Sequence, residues 1–262
     1  MKYVLVIAGS DSSGGAGIQA DIKAITSLGV HALTALTAVT AQNSVGIAAI
    51  HKIPARFIST QLHTIAEDLI PDAVKVSMLY SRLAVNEVTK FIRKYALPNV
   101  VVDPVMAAST GNRLLEPEAI PLLKEVLIPV AKVVTPNLYE AGIIANIKVE
   151  DVYEMAEAAK LIKKMGPDVV ITGGHLPGKS IDLLYDGNEF HRFPSSRINT
   201  EHTHGTGCVF SSALAAFLAQ GHGVVTATKL AHDFTRSSIL DGYACGRGSG
   251  PVNPTSWKKS SE

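Results

Sequence analysis

Residues 3–17 read Tyr-Val-Leu-Val-Ile-Ala-Gly-Ser-Asp-Ser-Ser-Gly-Gly-Ala-Gly, an apolar run that leads directly into a glycine-rich segment. The run over residues 3–8 predicts a buried strand, and the amphipathic stretch over residues 16–28 predicts the helix that follows it. Glycine lets a backbone approach a ligand closely, and the first N–H groups of a helix attract anions. This junction therefore predicts a site for a polar or phosphorylated small molecule. A helix-capping turn without a ligand is the alternative.

The same alternation of apolar runs and amphipathic stretches continues along the chain. Continuous apolar runs suit parallel strands that are buried on both faces of a sheet, so the pattern predicts an α/β fold. The predicted strands cover residues 4–7, 73–76, 100–102, 130–134 and 169–171, and the predicted helices cover residues 16–28, 54–68, 83–95, 117–127 and 152–165.

The turn sequence Asp186-Gly187-Asn188 separates two further short runs, at residues 183–185 and 189–193. Such a turn favours an antiparallel hairpin. A hairpin at a sheet edge fits an open α/β sandwich better than a closed barrel of eight βα units. No internal repeat or linker divides the chain, which predicts a single domain over residues 1–254 and a flexible tail over residues 255–262.

Composition excludes several classes of function. The chain has 262 residues, with 24 Lys and Arg against 23 Asp and Glu, so its net charge of +1 gives no basic surface for nucleic acid. Its 2 cysteines exclude a disulfide framework. There is no charged leader, and the longest apolar helical stretch, residues 209–219, is shorter than the roughly 20 residues that span a bilayer. We therefore expect a cytoplasmic protein without a membrane partner.

A second glycine-rich segment, residues 203–208, reads Thr-His-Gly-Thr-Gly-Cys and precedes a helix of small residues. The N–H groups of Gly205, Thr206 and Gly207 at this helix start can form an anion hole, where backbone dipoles meet the charge on a transferred group. Cys208 would lie in the first turn, where the helix field favours the thiolate of a nucleophile or proton acceptor. The alternative is a tight turn whose cysteine is a small buried hydrophobic residue.

Hard oxygen ligands follow two of the predicted strands. Asp103 comes directly after one strand, and Asn137 and Glu140 lie one helical turn apart after another. Carboxylate and amide oxygens suit Mg²⁺, directly or through water, so these three residues predict a magnesium site. The alternative is that Asn137 caps a helix with Glu140 as its third-position partner.

Glycines also follow the run at residues 169–171, in the sequence Thr172-Gly173-Gly174-His175. Ligands of open α/β sheets bind at the carboxyl ends of strands, so His175 could contact a phosphate, with a solvated loop histidine as the alternative. His202 and His204 do not predict a zinc site, because no Cys/His pair elsewhere has ligand spacing.

The recognisable blocks are residues 8–11, 14–21, 37–43, 102–106, 135–140, 173–175 and 203–208. In this order they resemble the ribokinase-like superfamily and, within it, the hydroxymethylpyrimidine/phosphomethylpyrimidine kinases of thiamin biosynthesis. The resemblance implies a three-layer α/β/α sandwich with a mostly parallel central sheet and an antiparallel edge hairpin. It also implies ATP-dependent phosphorylation of 4-amino-5-hydroxymethyl-2-methylpyrimidine and then of its monophosphate, with Mg²⁺ as cofactor, in a homodimer.

By position, the resemblance places the substrate ring in a pocket that Gly9, Ala16, Met78 and Val105 shape. Gln42 would hydrogen-bond the aminopyrimidine edge, since an amide offers both a donor and an acceptor. A polar loop residue without a ligand is the alternative for Gln42.

The resemblance also assigns residues around the phosphoryl group. Residues 205–207 would form the anion hole, and Cys208 would act as the base for the substrate hydroxyl. Asp21 would lie near the substrate phosphate or hydroxymethyl group. Thr172 and His175 would contact ATP.

The chain departs from the family pattern where positive charge is expected. Many relatives have lysine at the positions of Thr172 and Ser109, and Lys-Asn in place of Glu201-His202. The residues that could replace this charge are Arg113, Lys179 and Lys229.

Two other functions stay open. The lost lysines favour a non-catalytic pyrimidine-binding or regulatory protein as one alternative. Pyridoxal kinase is the other, because pyridoxal also carries a hydroxymethyl group on a six-membered nitrogen heterocycle.

Overall fold

A nine-stranded sheet lies at the centre of the computed structural model, which describes residues 1–108, 110–174, 176, 178 and 180–257. The strands are β1 (Tyr3–Asp11), β2 (His31–Gln42), β3 (Ile47–Lys52), β4 (Ala73–Val76), β5 (Val100–Val102), β6 (Val133–Val134), β7 (Asp168–Ile171), β8 (Ser180–Tyr185) and β9 (Phe190–Ser195). They lie side by side in the order β3-β2-β1-β4-β5-β6-β7-β8-β9.

Most of the sheet is parallel. Parallel pairing runs from β2 through β1, β4, β5 and β6 to β7. At one edge β8 pairs antiparallel with β7 and β9, which confirms the predicted hairpin. In its turn the Asp186 carboxylate accepts hydrogen bonds from the N–H groups of Asn188 and Glu189 at 2.8 Å each. At the other edge β3 pairs antiparallel with β2, an arrangement that the sequence patterns did not predict.

Helices cover both faces of this sheet. They are α1 (Gly17–Ser27), α2 (Ala55–Ala66), α3 (Arg82–Tyr95), α4 (Ile120–Leu122), α5 (Leu138–Ala145), α6 (Val152–Lys163), α7 (Thr206–Ala219) and α8 (Val224–Leu240). Alternate strand residues point to opposite faces. Leu5 and Ile7 therefore share one core with α2, α3, α5 and α6, while Val4 and Val6 share the other with α1, α7 and α8. The predicted three-layer α/β/α sandwich is confirmed.

The helix predicted over residues 117–127 is not continuous. It starts as a 3-10 turn, Pro117–Ala119, passes through α4 and ends as a π-helical turn, Leu123–Leu127. Pro121 has no N–H to donate, and its ring clashes with the carbonyl of the preceding turn, so a regular α-helix is interrupted there.

The strand predicted over residues 130–134 is shorter than expected. Val130 completes a 3-10 turn, Ile128–Val130, and only Val133 and Val134 pair in the sheet. The N–H of Ala131 donates to the Ile128 carbonyl at 3.0 Å within this turn and so cannot join the ladder, which explains the later start of the strand.

β2 and β3 have no counterpart among the predicted strands. The sequence of β2 is His-Ala-Leu-Thr-Ala-Leu-Thr-Ala-Val-Thr-Ala-Gln, in which alanine and threonine outnumber large β-branched residues. β3 lies at the sheet edge and stays largely exposed. The strand conformation of β2 therefore depends on pairing with β1 and that of β3 on pairing with β2, which local apolar patterning does not report.

The end of the described chain packs on the domain. Pro254–Ser256 forms a 3-10 turn, and the ring of Trp257 meets Phe234 of α8 edge-on at a centroid distance of 5.3 Å. Residues 258–262 of the predicted tail lie outside the described residues, and the domain boundary at residue 254 stays a prediction.

Across the part of the chain that the structure describes, no helix combines the length and the apolar character needed to cross a membrane.

Candidate active site

The carboxyl ends of five strands lie side by side at the same end of the sheet, because these strands are parallel; they are β1, β4, β5, β6 and β7. Backbone hydrogen bonds continue past the strand ends, from the Thr135 N–H to Val102 at 2.9 Å and from the Thr172 N–H to Pro136 at 3.0 Å. Asp103 therefore lies beside Thr135, and Asn137 lies beside Thr172, at this end of the sheet. Open α/β sheets bind their ligands in this position.

The first glycine-rich loop is held by Asp11. Its buried carboxylate accepts hydrogen bonds from the N–H and hydroxyl of Ser13, at 2.8 and 2.7 Å, and from the N–H of Ala16 at 2.8 Å. Burial opposes ionisation, but these bonds and one from His204 outweigh it and lower the pKa of Asp11 to about 2. The ionised carboxylate thus orders the loop that leads into α1.

The two glycine-rich segments, which the sequence separates widely, touch each other. His204 Nε2 lies 2.8 Å from Asp11 Oδ2. Gly205 has a φ of 84°, and a Cβ there would lie 2.0 Å from the Gly15 carbonyl oxygen. Only glycine permits this approach. Sequence reasoning weighed His204 only as a metal ligand and missed its contact with Asp11.

The predicted anion hole lies at the start of α7. Gly205 is the N-cap of the helix, and the first four N–H groups of a helix have no partner within it. The N–H of Thr206, however, donates to the Thr203 carbonyl at 3.2 Å, as does its hydroxyl at 2.7 Å. Gly207 is exposed, and a Cβ there would meet open space. The Gly207 side of the turn is therefore the part open to a ligand.

Cys208 is half-buried in the first turn of α7. Burial raises the pKa of the Cys208 thiol to about 12, with Lys75 opposing the rise and Asp21 and Asp103 adding to it. The expectation that the helix field favours a thiolate is thus wrong for this environment, because removal from water and nearby carboxylates outweigh the helix dipole.

A buried ion pair lies beneath this turn. Lys75 Nζ in β4 is 2.9 Å from both carboxylate oxygens of Asp21, and neither side chain is exposed. Ser212 of α7 donates to Asp21 Oδ1 at 2.8 Å. Asp21 is therefore bound inside the protein rather than facing a ligand directly. Sequence reasoning missed Lys75, although a lysine within the apolar run 73–76 was a readable signal.

The three predicted magnesium ligands lie close together. Asn137 Oδ1 accepts from the Glu140 N–H at 2.9 Å and Glu140 Oε2 accepts from the Asn137 N–H at 3.0 Å, so the capping arrangement is present. Glu140 Oε1 accepts from Met106 at 3.3 Å, and Asp103 Oδ2 accepts from Ser211 at 2.9 Å.

The electrostatics of this acidic pair fit a cation. Burial raises the pKa of Glu140 to about 8, and the neighbouring Asp103 carboxylate adds to the rise. Burial likewise raises the pKa of Asp103. Among the described residues no three His, Cys, Asp or Glu side chains form a metal-binding group. Mg²⁺ needs only one or two carboxylates when phosphates and water complete its shell, so the donor set is compatible with it.

The predicted ring pocket also comes together. A Cβ on Gly9 would lie 2.6 Å from the Met78 sulfur, so this glycine allows Met78 to pack against the backbone of β1. Met78 shares an apolar cluster with Val105. Ala16 lies in the neighbouring loop, where its N–H bonds Asp11.

Gln42 ends β2 beside the first glycine-rich loop. Its backbone N–H donates to the Ser12 hydroxyl and its carbonyl accepts from that hydroxyl, at 2.8 Å each. Its side-chain amide lies 3.1 Å from the Thr40 hydroxyl, which donates to the Ser10 carbonyl at 2.9 Å. The side chain is half-buried and linked to the first glycine loop through Ser12.

The predicted nucleotide contacts are only partly described. Thr172 and Asn137 form an isolated parallel β-bridge. The N–H of Gly173 donates to the Asp182 carboxylate at 2.9 Å. Asp182 in turn lies 2.7 Å from His232 Nδ1 of α8. Three of the residues considered for phosphate contacts or their replacement lie outside the described residues: Ser109, His175 and Lys179.

The two remaining candidates for replacing positive charge lie apart. Arg113 is exposed, and its backbone forms an isolated antiparallel β-bridge with Ala107. Lys229 pairs with Asp233 on α8, beside a groove of about 370 Å³ that Arg192 and Arg236 also line.

Comparisons with known proteins point to one family. The family described as phosphomethylpyrimidine kinase matches residues 11–253. The hydroxymethylpyrimidine/phosphomethylpyrimidine kinase of Bacillus subtilis is 43% identical over 260 residues, which cover 98% of this chain and 96% of that protein. The thiamine biosynthesis bifunctional protein ThiED of Geobacter sulfurreducens is 44% identical over 252 residues, 95% of this chain, and the match spans only 51% of that longer protein.

A solved structure shows the same fold. The ADP complex of Bacillus subtilis pyridoxal kinase superimposes with a TM-score of 0.91 at 40% identity, covering 97% of this chain and 98% of that one. The ADP in that structure is relevant to the reaction type, and the name pyridoxal kinase is relevant to the choice of substrate.

Proposed function

Because the chain belongs to the phosphomethylpyrimidine kinase family, we propose that it phosphorylates 4-amino-5-hydroxymethyl-2-methylpyrimidine and then its monophosphate, with ATP as donor. The observation that carries this proposal is the direct contact between the two glycine-rich loops, through Gly15 with Gly205 and Asp11 with His204. That contact brings the apolar ring pocket and the open start of α7 to one place.

Gln42 supports an aminopyrimidine as the substrate ring. Its side-chain amide is half-buried at the end of β2 and carries both an NH₂ donor and an oxygen acceptor. The NH₂ group would donate to a ring nitrogen, and the oxygen would accept from the exocyclic amino group. Met78 and Val105 offer apolar surface to the faces of the ring.

The start of α7 supports phosphoryl transfer. In the first transfer the hydroxymethyl oxygen bonds the γ-phosphorus, and in the second a phosphate oxygen of the monophosphate does so. In each, the bond between that phosphorus and the bridging oxygen breaks, and ADP leaves with the electron pair. Within the turn at residues 205–207 the N–H groups of Gly205 and Gly207 would stabilise the charge on the moving group, because that of Thr206 donates to Thr203. Cys208, once it is a thiolate, would take the hydroxyl proton in the first transfer. Because transfer of this kind depends mainly on positioning and charge, an imperfect base is tolerable.

Asp103, Asn137 and Glu140 would hold Mg²⁺. When bound, the ion supplies positive charge to the phosphates of ATP. Thr172 and His175 would contact the nucleotide from the neighbouring strand end. Homodimer formation and a cytoplasmic location also remain predictions.

A panel of ADP-release assays tests the proposal. Purified protein with Mg-ATP should release ADP when given the hydroxymethylpyrimidine or its phosphate, with catalytic efficiency above that for pyridoxal, because specificity is a ratio of efficiencies. The match to a pyridoxal kinase structure makes pyridoxal the second candidate, and preferential turnover of pyridoxal would establish it. Calorimetric binding of the pyrimidine without ADP release from any substrate would establish a non-catalytic binding protein instead.

A further inference from the structure

Lys75 is a lysine without any exposed surface, in a central strand of the sheet. β4 pairs with β1 on one side and β5 on the other. Val74 and Val76 point into the core beneath α2 and α3, whereas Ala73 points into the core beneath α1 and α7. Because strand residues alternate, Lys75 faces α1 and α7, the two helices that begin at the glycine-rich loops.

Its contacts join three elements. Lys75 of β4 donates to both oxygens of Asp21 in α1, and Ser212 of α7 donates to the same carboxylate. A buried ion pair adds little net stability, since the cost of removing both charges from water offsets their attraction. Two apolar side chains of similar size would hold these elements together as well. Stability alone therefore does not explain why these two buried side chains are charged.

The network lies one helical turn below the candidate reaction centre. Asp21 follows Gly17 by four positions in α1, and Ser212 follows Cys208 by four positions in α7, so each pair lies on one face of its helix. The starts of the two helices also meet, because a Cβ on Gly205 at the start of α7 would lie 2.0 Å from the Gly15 carbonyl oxygen, two residues before α1. The two helices are thus joined twice, once through this glycine contact and once at Asp21.

The charged groups that face Cys208 come from three elements. They are Lys75 from β4, Asp21 from α1 and Asp103 from the end of β5. Of these described groups, Lys75 supplies the positive charge.

We propose, on the basis of the proposed kinase function, that Lys75 is a positioning residue for phosphoryl transfer. Through Asp21 and Ser212 it holds α1 against α7, so that the turn with Cys208 keeps its position beside the first glycine-rich loop. Its charge also offsets the carboxylates that face that sulfur. Lys75 touches neither substrate nor the reacting atoms and acts through Cys208.

The first test follows the reactivity of Cys208 without using kinase activity. The chain has 2 cysteines, and Cys245 is the exposed one, so the variant C245S leaves Cys208 as the thiol that iodoacetamide can alkylate. Only a thiolate reacts, so the rate against pH reports the titration of Cys208. Lys75→Met alone would leave Asp21 buried without its partner and could unfold the protein. The comparison therefore uses D21N and K75M/D21N, which share the neutral asparagine.

The two variants should differ in their alkylation profiles. D21N removes one carboxylate that faces Cys208 while Lys75 still interacts with Asp103, so its midpoint should move to lower pH. K75M/D21N also lacks the lysine charge, so its midpoint should lie above that of D21N by about one unit, a tenfold fall in thiolate at a fixed lower pH. Identical profiles for the two folded variants would overturn the role of the Lys75 charge.

The second test concerns the link to α7. S212A removes the hydroxyl that joins α7 to Asp21, and S238A is its matched control, because Ser238 is also a buried helical serine but bonds only a carbonyl of its own helix. S212A should lower kcat severalfold with little change in the KM of the pyrimidine, while both variants lose similar thermal stability. Equal kcat in S212A and S238A would overturn the link. If the wild-type protein releases no ADP from any substrate, the proposed function fails, and the alkylation test still decides the effect of Lys75 on Cys208.

Discussion

His204 Nε2 lies 2.8 Å from Asp11 Oδ2, across 193 positions of sequence. The contact joins the loop before α7 to the loop before α1, and it completes the set of donors around a carboxylate that also binds Ser13 and Ala16. The relative position of the two loops therefore depends on the side chain of Asp11, which is not one of the candidate catalytic or ligand-binding residues.

Replacing Asp11 should change stability in acid. The pKa of Asp11 is lowered from 3.8 to about 2, so its contribution is fully present above about pH 4 and is lost as the pH falls through 2. Asp11→Asn should cost about 2 kcal/mol at neutral pH and flatten the stability profile between pH 4 and 2. Urea unfolding at several pH values measures this. Asp68→Asn, at an exposed carboxylate, is the control, and equal acid slopes in D11N and wild type would contradict the prediction.

Much of the fold follows from local patterns, but the site depends on contacts that such patterns do not contain. The apolar runs predicted β4 and β5 because both faces of these strands are buried. The alanine- and threonine-rich β2 escaped prediction because its neighbours, not its own residues, make it a strand. Pro121 interrupts a helix whose apolar spacing alone looks regular.

Local sequence likewise predicts some features of the candidate site and not others. The glycine-rich junctions could be recognised, because clustered glycines directly after a predicted strand and before a predicted helix are a local sequence pattern. The pairing of Lys75 with Asp21 could not, because it depends on which strand lies under which helix. The protonation of Cys208 was predicted wrongly for a related reason: its helix position can be read from sequence, but its burial and its facing carboxylates cannot.

Gly205 and Gly207 should respond differently to alanine. Gly205 has a φ of 84° and no room for a Cβ beside Gly15, so Gly205→Ala should destabilise the protein by at least about 2 kcal/mol and separate the two loops. Gly207 lies within α7 with open space around it, so Gly207→Ala should leave stability unchanged or raise it by up to about 0.5 kcal/mol. Thermal unfolding measures both, and equal losses would show that the loop contact is not the cause.

Glu140 should make stability fall with rising pH when no divalent ion is present. The pKa of Glu140 is raised from 4.5 to about 8, so the stability that its protonated form contributes is fully present below about pH 4.5 and is lost as the pH rises through 8. Glu140→Gln keeps a neutral side chain and should remove this fall, which is of the order of a few kcal/mol. Urea unfolding at pH 5 and pH 8.5 with EDTA measures it. A decline of the same size in E140Q would assign the effect to other groups.

Substitutions of Cys208 should show whether this residue acts as a proton acceptor or only as a packing residue. If its sulfur takes the hydroxyl proton, Cys208→Ala should lower kcat about a hundredfold or more while the KM of the pyrimidine changes little, since only the transition state loses a partner. Cys208→Ser keeps a small polar group in the first turn of α7 and should retain more activity than C208A. C245S, at the exposed cysteine, controls for loss of a thiol as such. Steady-state kinetics with thermal unfolding on the same preparations separates the roles, because a buried packing cysteine would lower stability in C208A and C208S and leave kcat unchanged.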